Sequence, residues 1–231
     1  MINIVLPIAG RGSRFAEAGF ELPKPLIPVH DKPMIEVVVN NIRPHCEHRF
    51  IFVALKEHLD HLGMEETLNR VAPGCVIIPV NEVTEGAACT VLLAREFINN
   101  NDQLMMANSD QWVDIDINDY LSLMEDKNID GLIMTMWADD PKWSFVGFDN
   151  NGKVNNVVEK EVISNEATVG IYNFQKGSDF VKAADQMIAK NLRVKNEFYV
   201  APAYNEMIID QAKITIFNIG KEYDGMYGMG I

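Results

Sequence analysis

Arg14 and Lys24 are the residues best placed by type and spacing to handle phosphate. Arg14 lies in Ile8-Ala9-Gly10-Arg11-Gly12-Ser13-Arg14-Phe15, just after the apolar run Ile2–Ile8. Glycine has no Cβ, so backbone amides there can press against an anion without steric penalty. A guanidinium and an ammonium then supply positive charge suited to the polyphosphate of a nucleoside triphosphate. Neither of the two commonest phosphate motifs is present. A P-loop carries Gly-Lys-Ser/Thr where this chain has Ser13-Arg14, and a dinucleotide fingerprint needs a third glycine where Phe15 stands. Gly-x-Gly alone is also an ordinary strand-end turn.

Two further features narrow the reading. Lys24 is enclosed in Pro23-Lys24-Pro25-Leu26, where the flanking prolines favour an extended, rigid backbone. Asp110 ends the run Leu104-Met105-Met106-Ala107-Asn108-Ser109-Asp110. An aspartate after an apolar strand suits a hard oxygen ligand for Mg²⁺, and equally suits a turn or helix cap. The spacing from the glycine loop to Pro-Lys-Pro-Leu resembles the signature of the sugar-1-phosphate nucleotidyltransferases, the nucleotide-sugar pyrophosphorylases. That signature runs Leu-Ala-Gly-Gly-x-Gly-Thr-Arg-Leu, then Pro-Lys-Pro-Leu. Here the doubled glycine is reduced and Ser13 replaces threonine.

The resemblance implies roles for other residues. Arg14, Lys24 and Asp110 become the catalytic set, with Ala9, Gly10, Gly12, Ser13 and Arg14 along the nucleotide. Asn81-Glu82-Val83-Thr84-Glu85-Gly86-Ala87-Ala88 resembles the family's Gln-x-x-x-x-Gly-x-Ala base loop, which makes Asn81, Gly86 and Ala87 nucleotide contacts. Gly86 could also simply start a helix. Glu159-Lys160 followed by Gly170 resembles the family's acceptor motif, with glutamate on sugar hydroxyls and lysine on the sugar phosphate; Gly147 matches a glycine of the same pocket. Glu159-Lys160 alone would be an edge-strand charge pair. A second carboxylate often shares the Mg²⁺ in this family. Asp224 is the candidate, although it stands four residues before Gly228, where the tail YDGMYGMGI aligns best.

These residues need a frame that brings strand ends together. Runs at 2–8, 50–55, 75–80 and 103–107 read as strands, alternating with helical patterns at 33–42, 56–70 and 86–98. That βαβα rhythm predicts a parallel sheet covered by helices, with ligands beyond the carboxyl ends of its strands. The second half changes character: strands at 132–137, 144–148, 154–158, 167–174 and 214–219, with Asn151-Gly152 as a hairpin turn and a helix at 178–190. The expected fold is α/β, a mixed, mainly parallel Rossmann-like sheet flanked by helices. The resemblance makes it glycosyltransferase-A-type. One domain over 1–231 is expected, with a nucleotide-binding half (1–130) and an acceptor-binding half (131–231).

Composition bounds the partners. The chain has 231 residues, 48% apolar and 23% charged, and a net charge of −13. So acidic a surface argues against nucleic acid or anionic membrane as the main partner, while leaving room for one locally basic pocket. No apolar stretch approaches a membrane span, no basic n-region follows Met1, and the three cysteines form no metal or redox motif. A cytoplasmic protein is expected, and a homo-oligomer is compatible with the sequence. The function expected is transfer of a nucleotidyl group from a nucleoside triphosphate to a sugar 1-phosphate with Mg²⁺ as cofactor, feeding surface polysaccharide synthesis. Two alternatives stay open: a cytidylyltransferase for a non-sugar phosphate such as phosphocholine, and a catalytically silent regulatory module.

Overall fold

Strand β1 (Ile2–Ile8, INIVLPI) is buried along nearly its whole length, because apolar groups on both of its faces suit a central strand of a covered sheet. The computed structural model describes residues 1–61, 63–126 and 128–230. β1 pairs in parallel with β2 (His48–Leu55), which pairs in parallel with β3 (Val76–Val80). On its other side β1 pairs in parallel with β4 (Gln103–Ala107). Apart from a separate two-stranded ladder of Pro28–Val29 with Lys32–Pro33, the remaining strands are β5 (Gln111–Val113), β6 (Gly131–Trp137), β7 (Ser144–Phe148), β8 (Val154–Glu159), β9 (Glu166–Phe174), β10 (Ile214–Glu222) and β11 (Gly225–Gly228). All belong to one 11-stranded sheet whose main path runs β3-β2-β1-β4-β9-β6-β10-β11-β5, with the β7–β8 hairpin attached through β9. The antiparallel β4–β9 ladder, Leu104–Ala107 against Ile171–Phe174, joins the first half of the chain to the second.

The two faces of this sheet carry separate cores. Ile4, Leu6 and Ile8 lie on one face with Ile35, Val38 and Val39 of helix Met34–Asn41 and Leu68 of helix Met64–Val71. Val5, Ile51, Val53 and Met106 lie on the other, with Val91 of helix Ala87–Leu92 and Phe180 and Ala184 of helix Gly177–Ala189. The architecture is the expected mixed, Rossmann-like sheet with helices on both sides. Methionines 105, 134 and 136 are fully buried core residues.

Local differences from the sequence expectations have local causes. The helix expected over 56–70 is two, Lys56–His61 and Met64–Val71, because Gly63 takes a left-handed conformation (φ 64°) between them. The pattern at 86–98 divides into helices Ala87–Leu92 and Arg95–Ile98. Lys24 is not extended: Lys24–Leu26 form a 3₁₀ turn, closed by the Leu26 amide on the Pro23 carbonyl at 2.8 Å, with Pro25 and Leu26 buried as its anchor.

Candidate active site

The glycine loop leaves the carboxyl end of β1 and turns into helix Ser13–Glu17. Gly12 makes that turn with φ 61°, and its carbonyl accepts from the amides of Phe15 and Ala16. Only a residue without Cβ takes this backbone without penalty. A Cβ at Gly12 would also stand 3.3 Å from Lys24 Cβ, so the loop and the lysine-bearing turn are in contact. Ala9 is buried beneath the loop, Gly10 faces open space, and buried Phe15 anchors the helix.

Gly12, Ser13, Arg14 and Lys24 line a cavity of about 490 Å³ with Asn108, Ser109, Asp110, Lys160, Glu197 and Tyr199. Lys24 Nζ lies 2.6 Å from Asp110 Oδ2, each side chain being about one quarter exposed. An adjoining cavity of about 670 Å³ shares Arg14, Asp110 and Lys160 and adds Lys142 and Lys195. Five of the chain's 20 lysines and arginines thus gather around Asp110, in a protein of net charge −13. With Asp110, Glu197 and Glu222 also lining them, the two cavities hold five basic against three acidic side chains, a local cationic excess in an acidic protein.

A smaller cavity of about 300 Å³ continues past Asp110 and is lined by Asn108, Gln111, Trp143, Ser144, Glu159, Thr168, Gly170, Tyr172 and Tyr199. Glu159 is buried there, and Ser144 Oγ donates a hydrogen bond to its Oε2. Burial pushes the Glu159 carboxyl above its ordinary value, with the Ser144 hydrogen bond and the Lys160 ammonium opposing that rise. Lys160 takes φ 59°, a left-handed value unusual for a side-chain-bearing residue. Adjacent Glu159 and Lys160 therefore serve different compartments, the smaller cavity and the 490 Å³ cavity. Lys160 Nζ sits over the Tyr199 ring at 5.0 Å and 3.5 Å from Glu159 Oε1. Gly170 (φ 82°) lies in an irregular stretch of β9; a Cβ there would fall 2.2 Å from Asn108 Nδ2 and 2.4 Å from Gln111 Oε1. Its carbonyl accepts from the Asn108 amide at 3.0 Å.

Not every candidate joins this group. A Cβ on Gly147 would meet Asn156 Oδ1 at 1.8 Å and Ile163 Cδ1 at 3.0 Å, so its open side packs on β8 and the following loop. The β7 residue that reaches the smaller cavity is Ser144, three positions earlier and therefore on the opposite face. Asn81 is exposed and lines none of the three cavities. Gly86 is packed against Phe198, whose carbonyl oxygen would be 2.5 Å from an added Cβ, while Ala87 reaches the smaller cavity.

Asp224 does not reach Asp110. Gly228 is the β11 residue opposite Gln111, and the Met229 amide donates to the Asp110 carbonyl at 2.8 Å. Asp224 precedes the other end of β11, about 15 Å away by strand rise, where it is exposed and 3.8 Å from Lys221. Beside the Asp110 carboxylate lies Gly230, where a Cβ would stand 2.9 Å from Oδ2. Among the described residues no three His, Cys, Asp or Glu side chains form a metal cluster. Asp110 alone suits Mg²⁺ held by one carboxylate plus substrate phosphate oxygens, and does not suit an all-protein cage.

Ser144, Lys142, Lys195 and Tyr199 were not marked by the sequence motifs. For Lys142, Ser144 and Tyr199 the only local signals are aromatic-polar runs, Lys142-Trp143-Ser144 and Glu197-Phe198-Tyr199, common on any surface; Lys195 carries none.

The model of the nucleotidyl transferase family matches residues 3–201. The bifunctional protein GlmU of Methanococcus maripaludis is 26% identical over 183 residues, covering 75% of this chain and 40% of its own length. The mannose-1-phosphate guanylyltransferase catalytic subunit beta of Dictyostelium discoideum is 24% identical over the whole chain and 64% of its own length. The chain thus spans less than two thirds of these curated relatives. Among solved structures, the nucleoside-diphosphate-sugar pyrophosphorylase of Vibrio cholerae RC9 superposes with a TM-score of 0.80 at 24% identity, covering 99% of this chain and 96% of that one.

Proposed function

The chain belongs to the nucleotidyl transferase family, and from that premise we propose that it joins a nucleoside triphosphate to a sugar 1-phosphate, releasing pyrophosphate. The observation that carries this reading is the convergence of Arg14, Lys24, Lys160 and Asp110 on one cavity at the carboxyl ends of β1 and β4.

In the proposed reaction an oxygen of the acceptor phosphate attacks the α-phosphorus of the triphosphate. A new O–P bond forms, the bond from the α-phosphorus to the β-bridging oxygen breaks, and its electron pair leaves with pyrophosphate. The nucleophile is already anionic, so no general base is needed. The protein must hold two mutually repelling anions in line and offset charge on the leaving group. Arg14 at the rim and the Gly10–Ser13 backbone suit the β- and γ-phosphates. Lys24 suits the reacting phosphate, and Lys160, across the same cavity, the acceptor phosphate. Mg²⁺, when bound, would neutralise phosphate charge; Asp110 is the residue to hold it. Ala87 is the remaining candidate beside the base, and Asn81 and Gly86 are kept only as backbone neighbours of that loop.

The inner pocket supports a hydroxyl-rich acceptor over phosphocholine. Quaternary ammonium groups are read by open aromatic faces. Here Lys142 Nζ covers the Trp143 ring at 4.9 Å and Lys160 Nζ the Tyr199 ring at 5.0 Å, so both aromatic faces are already occupied by cations. Asn108, Gln111, Ser144, Glu159 and Thr168 offer hydrogen-bond partners that trimethylammonium cannot use. On the family resemblance we extend the reading to a cytoplasmic enzyme whose activated sugar supplies surface polysaccharide. No helix among the described residues is long and apolar enough to cross a membrane. A pyrophosphate-release assay pairing the four common triphosphates with a panel of sugar 1-phosphates and phosphocholine tests the reading. Turnover with at least one sugar phosphate is expected; none with any pairing would favour the silent module.

A further inference from the structure

We propose that Tyr199 is a positioning residue whose ring face holds the Lys160 ammonium off the Glu159 carboxylate, leaving its charge available to the acceptor phosphate. The inference rests on the sugar-phosphate reading above, in which Lys160 takes that phosphate. A lysine cannot hold such a place by itself. Its ammonium ends a flexible four-carbon stem, and here a buried carboxylate stands on the adjacent residue. The backbone sets only a starting direction: Lys160 takes φ 59°, and its amide donates to the Trp143 carbonyl at 3.0 Å. From there Nζ stops 3.5 Å from Glu159 Oε1 and 5.0 Å from the centre of the Tyr199 ring. Lys24 closes on Asp110 at 2.6 Å and Lys142 on Glu222 at 3.1 Å, so Lys160 is the least committed of the three. An aromatic face attracts a cation without neutralising it. A carboxylate in full contact would cancel the charge that a phosphate needs.

Tyr199 is fixed for this task through the residue before it. The Phe198 amide donates to the Glu85 carbonyl at 2.8 Å, and its carbonyl accepts from the Ala88 amide at 3.0 Å. The Phe198 ring also carries the Arg193 guanidinium at 4.1 Å, and Arg193 in turn reaches Glu85 Oε2 at 3.0 Å. Tyr199 lines both the 300 Å³ and the 490 Å³ cavities; of these two, Glu159 lines only the first and Lys160 only the second. The ring thus stands on the partition between them. The Lys160 side chain is 23% exposed, which leaves the ring attraction only partly screened by water.

The test uses the full chain and a sugar 1-phosphate that the wild type turns over. Tyr199→Leu should raise KM for the acceptor by about 2- to 30-fold and leave KM for the nucleotide unmoved. Tyr199→Phe keeps the face and should recover most of that loss. Phenylalanines carrying one to five ring fluorines at position 199 keep the shape while draining the face, so acceptor KM should climb stepwise along the series. In a Lys160→Met background, Tyr199→Leu should add nothing further. A flat fluorine series, or a Phe variant as impaired as the Leu variant, overturns the proposal. So does a full Tyr199→Leu penalty without Lys160, which would put Tyr199 on the substrate itself. The fluorinated series decides the matter even where Tyr199→Leu fails to fold. No wild-type turnover with any sugar phosphate would remove the proposed function and this inference with it, whereas normal turnover with a flat series removes the inference alone.

Discussion

Replacing Lys24 with alanine removes the ammonium that lies 2.6 Å from Asp110 Oδ2 and faces the cavity of Arg14 and Lys160. Two consequences of different size follow. At this distance and an effective dielectric of about 20, the gross attraction within the ion pair is about 6 kcal/mol. Both partners are about one quarter exposed, so desolvation and screening reduce the net stabilisation to about 1–2 kcal/mol. For a domain of this size that corresponds to a fall in Tm of roughly 2–8 °C. The kinetic loss should be larger. A preorganised charge at the transition state is worth about 10²–10³ in kcat, or about 2.7–4 kcal/mol. Lys24→Ala should therefore lower kcat for pyrophosphate release by about a hundredfold or more at a temperature where the variant remains folded. Lys24→Arg restores the charge on the same turn and should recover much of the loss. Wild-type-like kcat, within a few-fold, in a folded Lys24→Ala variant would refute the placement of Lys24 at the reacting phosphates.

Asp110→Asn should weaken the dependence of turnover on Mg²⁺ while lowering Tm by no more than the roughly 2–8 °C of the same lost ion pair; an unfolded variant would point to a turn-capping role instead. Acceptor binding should carry an acid limb set by Glu159. Burial raises this carboxyl, so 1/KM for the acceptor should fall with decreasing pH from a point above the ordinary glutamate value, and the limb should vanish in Glu159→Gln. The stability sign is opposite: a carboxyl raised on folding contributes stability below its unfolded pKa and loses it as pH rises through the folded one. Glu159→Gln should therefore not lose Tm relative to wild type as pH rises through that window, a comparison made by thermal melts across pH. Gly86→Ala places a Cβ 2.5 Å from the Phe198 carbonyl oxygen at φ 133° and should lower Tm by about 5–15 °C, whereas Gly10→Ala, with open space around it, should shift Tm little.

Short-range features were legible from residue order alone. The Gly12 turn follows from local backbone chemistry, and the βαβα alternation follows from apolar periodicity, since each is written within a few consecutive residues. The same reading paired Glu159 with Lys160 and marked Gly170 and Asp110, all of which line the cavities. What residue order left open depended on faces and registers. Gly147 and Ser144 share one strand, and strand alternation puts them on opposite sides; only the packing of Asn156 and Ile163 decides which side meets the cavity. Asp224 lies in the expected stretch of sequence, yet the pairing of Gly228 with Gln111 carries it to the far end of its strand. Lys142 and Lys195 come from loops distant in sequence and join the cationic cluster only once the sheet has closed. Local chemistry is a property of neighbours along the chain, whereas a pocket is a property of neighbours in space, and the long-range strand pairing that creates those neighbours exists only in the folded sheet.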